Sequence, residues 1–224
     1  MKQKIVEFYR KCNQSKYGND IMRLIRYVYS RDPFNRKLKI MNKGSVRIHY
    51  KEIEGSNNTM VIGRKTLLNG ITLKVHGSNN RILIGENCKL GRGCKLYLFG
   101  NNCELNIGNG CTFNHDNELL VQEDSKKIII GEDCMFSHHI NVRTSDAHSL
   151  FNLEGERINN ARDVIIGNHV WITANVIIQK GVTISDGSII ATCSVVTKDI
   201  PSNCVAAGMP AKLVKAGIVW DRKL

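Results

Sequence analysis

Aromatic side chains make up only 6% of this sequence and prolines number three, whereas glycines reach 19 in 224 residues. That balance disfavours a helical bundle and favours a repetitive β architecture with many corners. No run of about eighteen apolar residues occurs, so no membrane-spanning helix is expected. The N-terminus, MKQKIVEFYRKC, lacks the apolar run and small-residue cleavage site of a secretory signal, and the expected location is cytoplasmic. None of the eight cysteines falls in a CxxC pair. This speaks against a zinc or redox motif and for reduced, buried thiols.

Acidic residues are also in deficit, leaving a formal net charge of +12. The excess is uneven: residues 1–40 carry 11 Lys or Arg against 3 acids. A basic segment of this kind meets an anionic polymer, an anionic lipid surface or only water. Nucleic acid is disfavoured, because the chain has no RNA-recognition motif and no aromatics interleaved with the repeat lysines.

What the sequence does have is a repeat. From Ile166 an aliphatic residue recurs every six positions, at Ile172, Ile178, Ile184, Ile190 and Val196, with small or β-branched Val170, Val176, Val182, Ser188 and Ser194 four places after each of the first five. Neither a helix nor a lone strand has this period, which requires short strands broken by corners. The same hexad appears upstream as IGENCK, LGRGCK, FGNNCE, IGNGCT and IGEDCM, placing Cys88, Cys94, Cys103, Cys111 and Cys134 in the fifth slot. Those thiols are expected as small apolar fillers of a cramped interior. A longer period ends at Gly63, Gly85, Gly108 and Gly131, one solenoid turn apart, and such turns stack to form a core that needs caps at its ends.

These hexads resemble the hexapeptide-repeat acyltransferases. The resemblance implies an all-β solenoid, a left-handed parallel β-helix with three hexads per coil. Its expected limits are residues 46–200, preceded by a basic, helical segment at 1–45 and followed by a cap and coenzyme-contacting tail at 201–224. The handedness comes from the resemblance, since it opposes the usual right-handed crossover.

A solenoid alone does not specify chemistry. The hexads at Ile130, Phe136 and Val142 complete one coil and the next begins at Ile166, so about eighteen residues must loop out, roughly 146–163. This loop carries His148 in TSDAHS, which is similar to the segment bearing the catalytic histidine in galactoside, maltose and polysaccharide O-acetyltransferases. Acyl transfer to a hydroxyl needs a base near neutral pH, and imidazole suits that task. Asp146 or a loop glutamate is expected to orient the ring, and a backbone N–H near Ala174 to stabilise the tetrahedral intermediate. No covalent acyl-enzyme is required.

Trp171, in HVWITANV, is expected on the surface against a neighbouring subunit, because its slot follows the inward Val170. The resemblance places it beside the active site, lining the acceptor or pantetheine tunnel. The elements TKDIP and GMPAK look like the family's closing signature. By that match the expected acetyl-CoA contacts are Trp171, Ala174, Thr192, Thr197, Lys198 and Lys212, with Lys215 a weaker candidate. His138 and His139 are adjacent, so in extended chain they point to opposite sides and neither is assigned a catalytic role. No metal is expected, since the spacing that would converge three imidazoles on zinc is absent.

The resulting expectation is an acetyl-CoA-dependent O-acetyltransferase acting on a carbohydrate hydroxyl, of a bacterial surface or capsular polysaccharide or its precursor. Residues 1–40 would engage an anionic glycan or the inner face of the membrane. A homotrimer is expected, because the loop needs a neighbouring wall to shield the thioester. The alternatives are N-acetylation of an amino-sugar nucleotide and a non-catalytic basic binding solenoid.

Overall fold

The computed structural model describes residues 37–223. The chain divides between Asn35 and Arg36, and the described residues belong to the second unit. The expected helical, basic N-terminal segment and its membrane contact fall on residues outside that range.

The described chain is an all-β, parallel solenoid, the hexapeptide-repeat β-helix expected from the hexads. One side of the prism is a sheet of seven short strands in which each pairs with its counterpart one coil later. Register partners are Leu38 with Asn58, Thr59 with Arg81, Arg81 with Glu104 and Glu104 with Lys127, giving coils of 20, 22, 23 and 23 residues. The next coil is 36 residues, Ile128 to Val164, and the following one 18, Ile165 to Thr183. Eighteen residues are three hexads, so the long coil contains one coil's worth of extra chain: the looped segment. The other two sides merge into a 14-stranded sheet, because the strand Leu67–His76 passes around a corner at Gly70 and pairs with Lys89–Leu90 before it and Lys95–Phe99 after it.

The first strand, Leu38–Asn42, pairs with Asn58–Ile62, so the solenoid begins earlier than the expected residue 46. The hexads are hard to see there because corner residues have been added and the strand Ser45–Ile53 is mostly exposed.

Alternation along each two- to five-residue strand sends one side chain inward, and these stack coil on coil into a single apolar column. Phe113 and Phe136 illustrate the register, their rings parallel within 19° with centroids 4.2 Å apart. Just before many inward corner positions stands a residue in the left-handed region, such as Asn87, Asn102 and Asp133. This φ reverses the chain's direction, and Asn or Asp tolerates it best among residues with a side chain. At Gly63 the requirement is closeness: a Cβ there would lie 2.5 Å from the Gly85 carbonyl carbon.

The cysteines do more than fill space. Each hexad thiol donates to a carbonyl of the next coil: Cys88 to Gly108, Cys94 to Asn114, Cys111 to Gly131 and Cys134 to Gly167 at 3.1 Å, and Cys103 to Glu123 at 3.2 Å. Thr66 and Ser188 make the same bond with hydroxyls, to Gly85 and Pro201 at 2.6 Å. All five hexad cysteines are free and buried. Burial pushes the Cys103 thiol up to about 11, which keeps it a protonated donor.

At the C-terminal end, Cys204–Gly208 adds one more parallel strand and Ala211–Ala216 turns back antiparallel across it, capping the open edge. The tail then returns along the solenoid. Trp220 stacks on His169 with centroids 3.9 Å apart, and Arg222 reaches Asp133 Oδ1 at 2.9 Å.

Candidate active site

The chain that loops out after Asn141–Arg143 forms a small hairpin, in which Phe151 bridges Arg157 antiparallel and Ile158 N donates to Leu150 O at 2.9 Å. Two anchors hold it to the solenoid. The Arg157 guanidinium makes a two-pronged contact with Glu123, at 2.7 and 2.6 Å, and the Ser145 hydroxyl donates to the same carboxylate at 2.7 Å. Arg157 chiefly, against the cost of burial and with help from Ser145, holds the Glu123 carboxyl down to about 2.

The second anchor is Asn159, buried at the hairpin's base. Its Nδ2 donates to Asp146 Oδ2 at 2.9 Å and to the His148 carbonyl at 2.8 Å, while its Oδ1 accepts from Leu150 N at 2.7 Å. Lys180, one coil on, donates to Asp146 Oδ2 at 2.5 Å and to the Asn159 carbonyl at 2.7 Å. Lys180 first, then Asn159, lower the Asp146 carboxyl below its ordinary range. Asp146 is therefore spent on the loop's backbone frame. Among the described residues no hydrogen bond joins the His148 ring to an acid, and Asp146 is linked to the His148 main chain through Asn159 Nδ2. The His148 side chain itself is exposed.

The remaining expected site residues lie along the last coils. Register runs Met135, Trp171, Ile189 on one side and Asn141, Ile177, Val195 on the next, with the corner between them at Ala174 and Thr192. Cys193 N donates to Ala174 O at 3.0 Å, and Thr192 Oγ1 lies 3.1 Å from Thr173 Oγ1. Ala174 and Thr192 thus form one axial pair. Thr197 and Lys198 are exposed at the far edge of the second side, beyond Val195–Val196 and one coil past Lys180. Lys212 is exposed on the capping strand opposite Ala207.

Trp171 has a neighbour that the hexad spacing does not reveal. Its outward ring faces Trp220 of its own chain's tail, with centroids 5.7 Å apart, and it is partly buried there. The tail is a cover that the hexad pattern does not announce. His138 and His139 depart from the reading, because both rings lie on the same corner and gather with His115, centroids 5.0 to 5.5 Å apart. The extended-chain rule fails there since His139 has φ 55°, a corner conformation that returns the second side chain to the outside. Sequence reasoning also passed over Glu123, Arg157, Asn159 and Lys180. The first three were visible only as ordinary polar residues, and Lys180 only as a hexad corner.

Against known proteins, the chain is 41% identical over 196 residues to the polysialic acid O-acetyltransferase of Neisseria meningitidis, covering 79% of this chain and 91% of that one. It belongs to the hexapeptide-repeat O-acetyltransferase family. An 82-residue stretch is 44% identical to a polysialic acid O-acetyltransferase of Escherichia coli O1:K1, spanning 27% of that longer protein. A crystal structure of a polysialic acid O-acetyltransferase superposes with a TM-score of 0.73 at 35% identity, over 85% of this chain and 90% of that one. No protein-family model matches the chain. The acetyltransferase thus presents a hairpin held rigidly at one corner, with an exposed imidazole at its root, and a corner of small residues at the other edge of the same side.

Proposed function

We propose that this O-acetyltransferase moves the acetyl group of acetyl-CoA to a hydroxyl of an anionic capsular polysaccharide, with His148 as general base. In this reading His148 takes the acceptor hydroxyl proton as the oxygen attacks the thioester carbonyl. The tetrahedral intermediate is stabilised by a main-chain N–H near Ala174 and collapses to the acetyl ester and coenzyme thiol, which receives the proton from His148. Lys198 and Lys212, both exposed cations near the cap, would face the coenzyme phosphates, and Thr197 and Thr192 would line its path.

The observation that carries the reading is the separation of the two halves of the site within one chain. The hairpin bearing His148 is anchored at Lys180, and Ala174 lies six residues earlier, across the side formed by Ile177–Ile178. The straight part of that interval alone, from Val176 to Gln179, spans about 10 Å, well beyond the ~3.5 Å at which donor, acceptor and base must meet. A second copy is needed, whose Ala174 corner comes to the first copy's hairpin. Exposed Leu150, Phe151, Leu153 and Ile158 on the hairpin supply an apolar surface for that contact. With a three-sided solenoid, a homotrimer closes the arrangement with three equal sites.

The polymeric, acidic acceptor is supported by the 41% identity to a polysialic acid enzyme and by the chain's net charge of +12. Labelled acetyl-CoA offered with polysialic acid, a neutral glycan and an amino-sugar nucleotide tests it. Ester formation on polysialic acid, abolished in His148→Ala, is expected; transfer only to amines would overturn the reading. For the shared site, His148→Ala mixed and refolded with Ala174→Trp should recover a measurable fraction of wild-type turnover. Absence of recovery in demonstrated mixed oligomers would sink it.

A further inference from the structure

We infer that the corner formed by His115, Asp116 and His139 binds a divalent transition-metal ion of the zinc, nickel and copper(II) class. One ligand atom from each of these residues lies within 4.8 Å of the others. His138, from the same coil as His139, stacks on His115 with rings within 12° of parallel and stands at the edge of the group.

The backbone makes the cluster rigid. Phe113 pairs with Phe136, so the corners after them superpose at the coil spacing, about 4.8 Å. Asp116 N donates to Arg92 O at 3.0 Å and Asn175 N to His138 O at 3.0 Å, tying the corner to the coils on both sides. Asp116 and His139 both have left-handed φ, 58° and 55°, so neighbouring side chains that would oppose each other on a strand are turned to the same face.

The donors are also prepared. His115 Nδ1 is 2.9 Å from Asp116 Oδ2, so an imidazole nitrogen and a carboxylate oxygen already lie close to the separation of two donors on one ion, which would replace the proton shared between them. Tetrahedral or tetragonal coordination at ~2.0–2.1 Å needs donors roughly 3.3 Å apart. The present spacing closes to that by χ rotation, since His115, Asp116 and His139 are all exposed. Two imidazoles and one carboxylate suit borderline ions and are poor ligands for magnesium or calcium, which prefer all-oxygen sets. A second group, Glu52, Glu54 and His76, brings its ligand atoms similarly close together, but Lys74 Nζ is 3.1 Å from Glu52 and already neutralises it. The metal corner is one coil before Ala174 on the same edge.

Calorimetric titration of the full chain with ZnCl2, and optical titration with CoCl2, test the site. We expect one ion per chain with micromolar affinity and cobalt bands without thiolate charge transfer. His115→Asn and His139→Asn should each weaken binding by about tenfold or more. Glu52→Gln and Cys193→Ser, the latter removing the exposed thiol, should leave it unchanged. Circular dichroism of each variant guards against misfolding, and neither histidine is in the solenoid core. Absence of saturable binding below about 1 mM, or equal binding by the double histidine variant, would overturn the assignment.

Discussion

Asn159 offers the most discriminating test of how the hairpin positions His148. Replacing it by Asp keeps the shape but turns the Nδ2 donor into an oxygen. That oxygen would face Asp146 Oδ2, now 2.9 Å from Nδ2, and the His148 carbonyl, now at 2.8 Å. Asn159 as a residue is only 8% exposed, so water does not readily replace what is lost. One hydrogen bond to a charged group contributes about 1.5–3 kcal/mol and one neutral bond about 0.5–1.5, so the loop frame loses roughly 2–4 kcal/mol before repulsion is counted. Lys180, close to both Asp146 and the Asn159 carbonyl, offsets part of the added charge. The loss falls on a hairpin outside the apolar column, so it should loosen the loop and leave the solenoid folded. A displacement of about 1 Å at the base costs on the order of 10²-fold in rate. We therefore expect Asn159→Asp to lower kcat about 100-fold, with the KM for acetyl-CoA within about twofold of wild type. The assay is steady-state coenzyme A release on a verified acceptor, with Asn159→Ala as the uncharged companion. Turnover by Asn159→Asp within about threefold of wild type would refute the claim that this side chain holds the base in place.

His148→Ala should cut turnover by about 10²- to 10⁴-fold while coenzyme binding survives, and retention of near-normal turnover would move the base elsewhere. Lys212→Ala should act in the opposite sense, raising the apparent KM for acetyl-CoA with kcat little changed, as checked by the same assay. The His169 pKa is raised, first by its bond to the Trp220 carbonyl and then by Asp133. Its contribution to the tail's docking is thus present in full below the ordinary histidine range and fades as pH rises through the elevated value. Hydrogen exchange and Trp220 fluorescence should report a looser tail on the alkaline side, and a flat profile from about pH 6 to 9 would contradict it. Cys111→Ser should preserve the donor to Gly131, whereas Cys111→Val should cost about 0.5–1.5 kcal/mol in thermal or urea unfolding. Equal stability of the two would mean the thiol is only a filler.

Much of this molecule is legible in one dimension because its fold is nearly one-dimensional. A hexad carries its inward residue, its corner and its small fifth-slot side chain within six positions, and register with the next coil repeats the same local choice. That is why the solenoid, the cysteine slots and the one coil of extra chain around His148 could be read from spacing. The coil lengths of 18 and 36 residues are the direct consequence of that repeat and its interruption. The start of the solenoid at Leu38 was missed where added corner residues blur the period.

What the spacing could not contain is any contact between residues whose separation is not a multiple of the repeat, or whose direction depends on a corner. Glu123 meets Arg157 across 34 positions, and His169 meets Trp220 across 51, because a hairpin and a tail fold back onto the surface. The assembly of His115, Asp116 and His139 depends on two left-handed corners, which invert the strand rule that adjacent side chains diverge. Local periodicity, fixed by backbone geometry and burial, determined the scaffold. Only the tertiary structure decided which polar side chains meet upon it, since their partners are chosen by corners, coil stacking and returning chain.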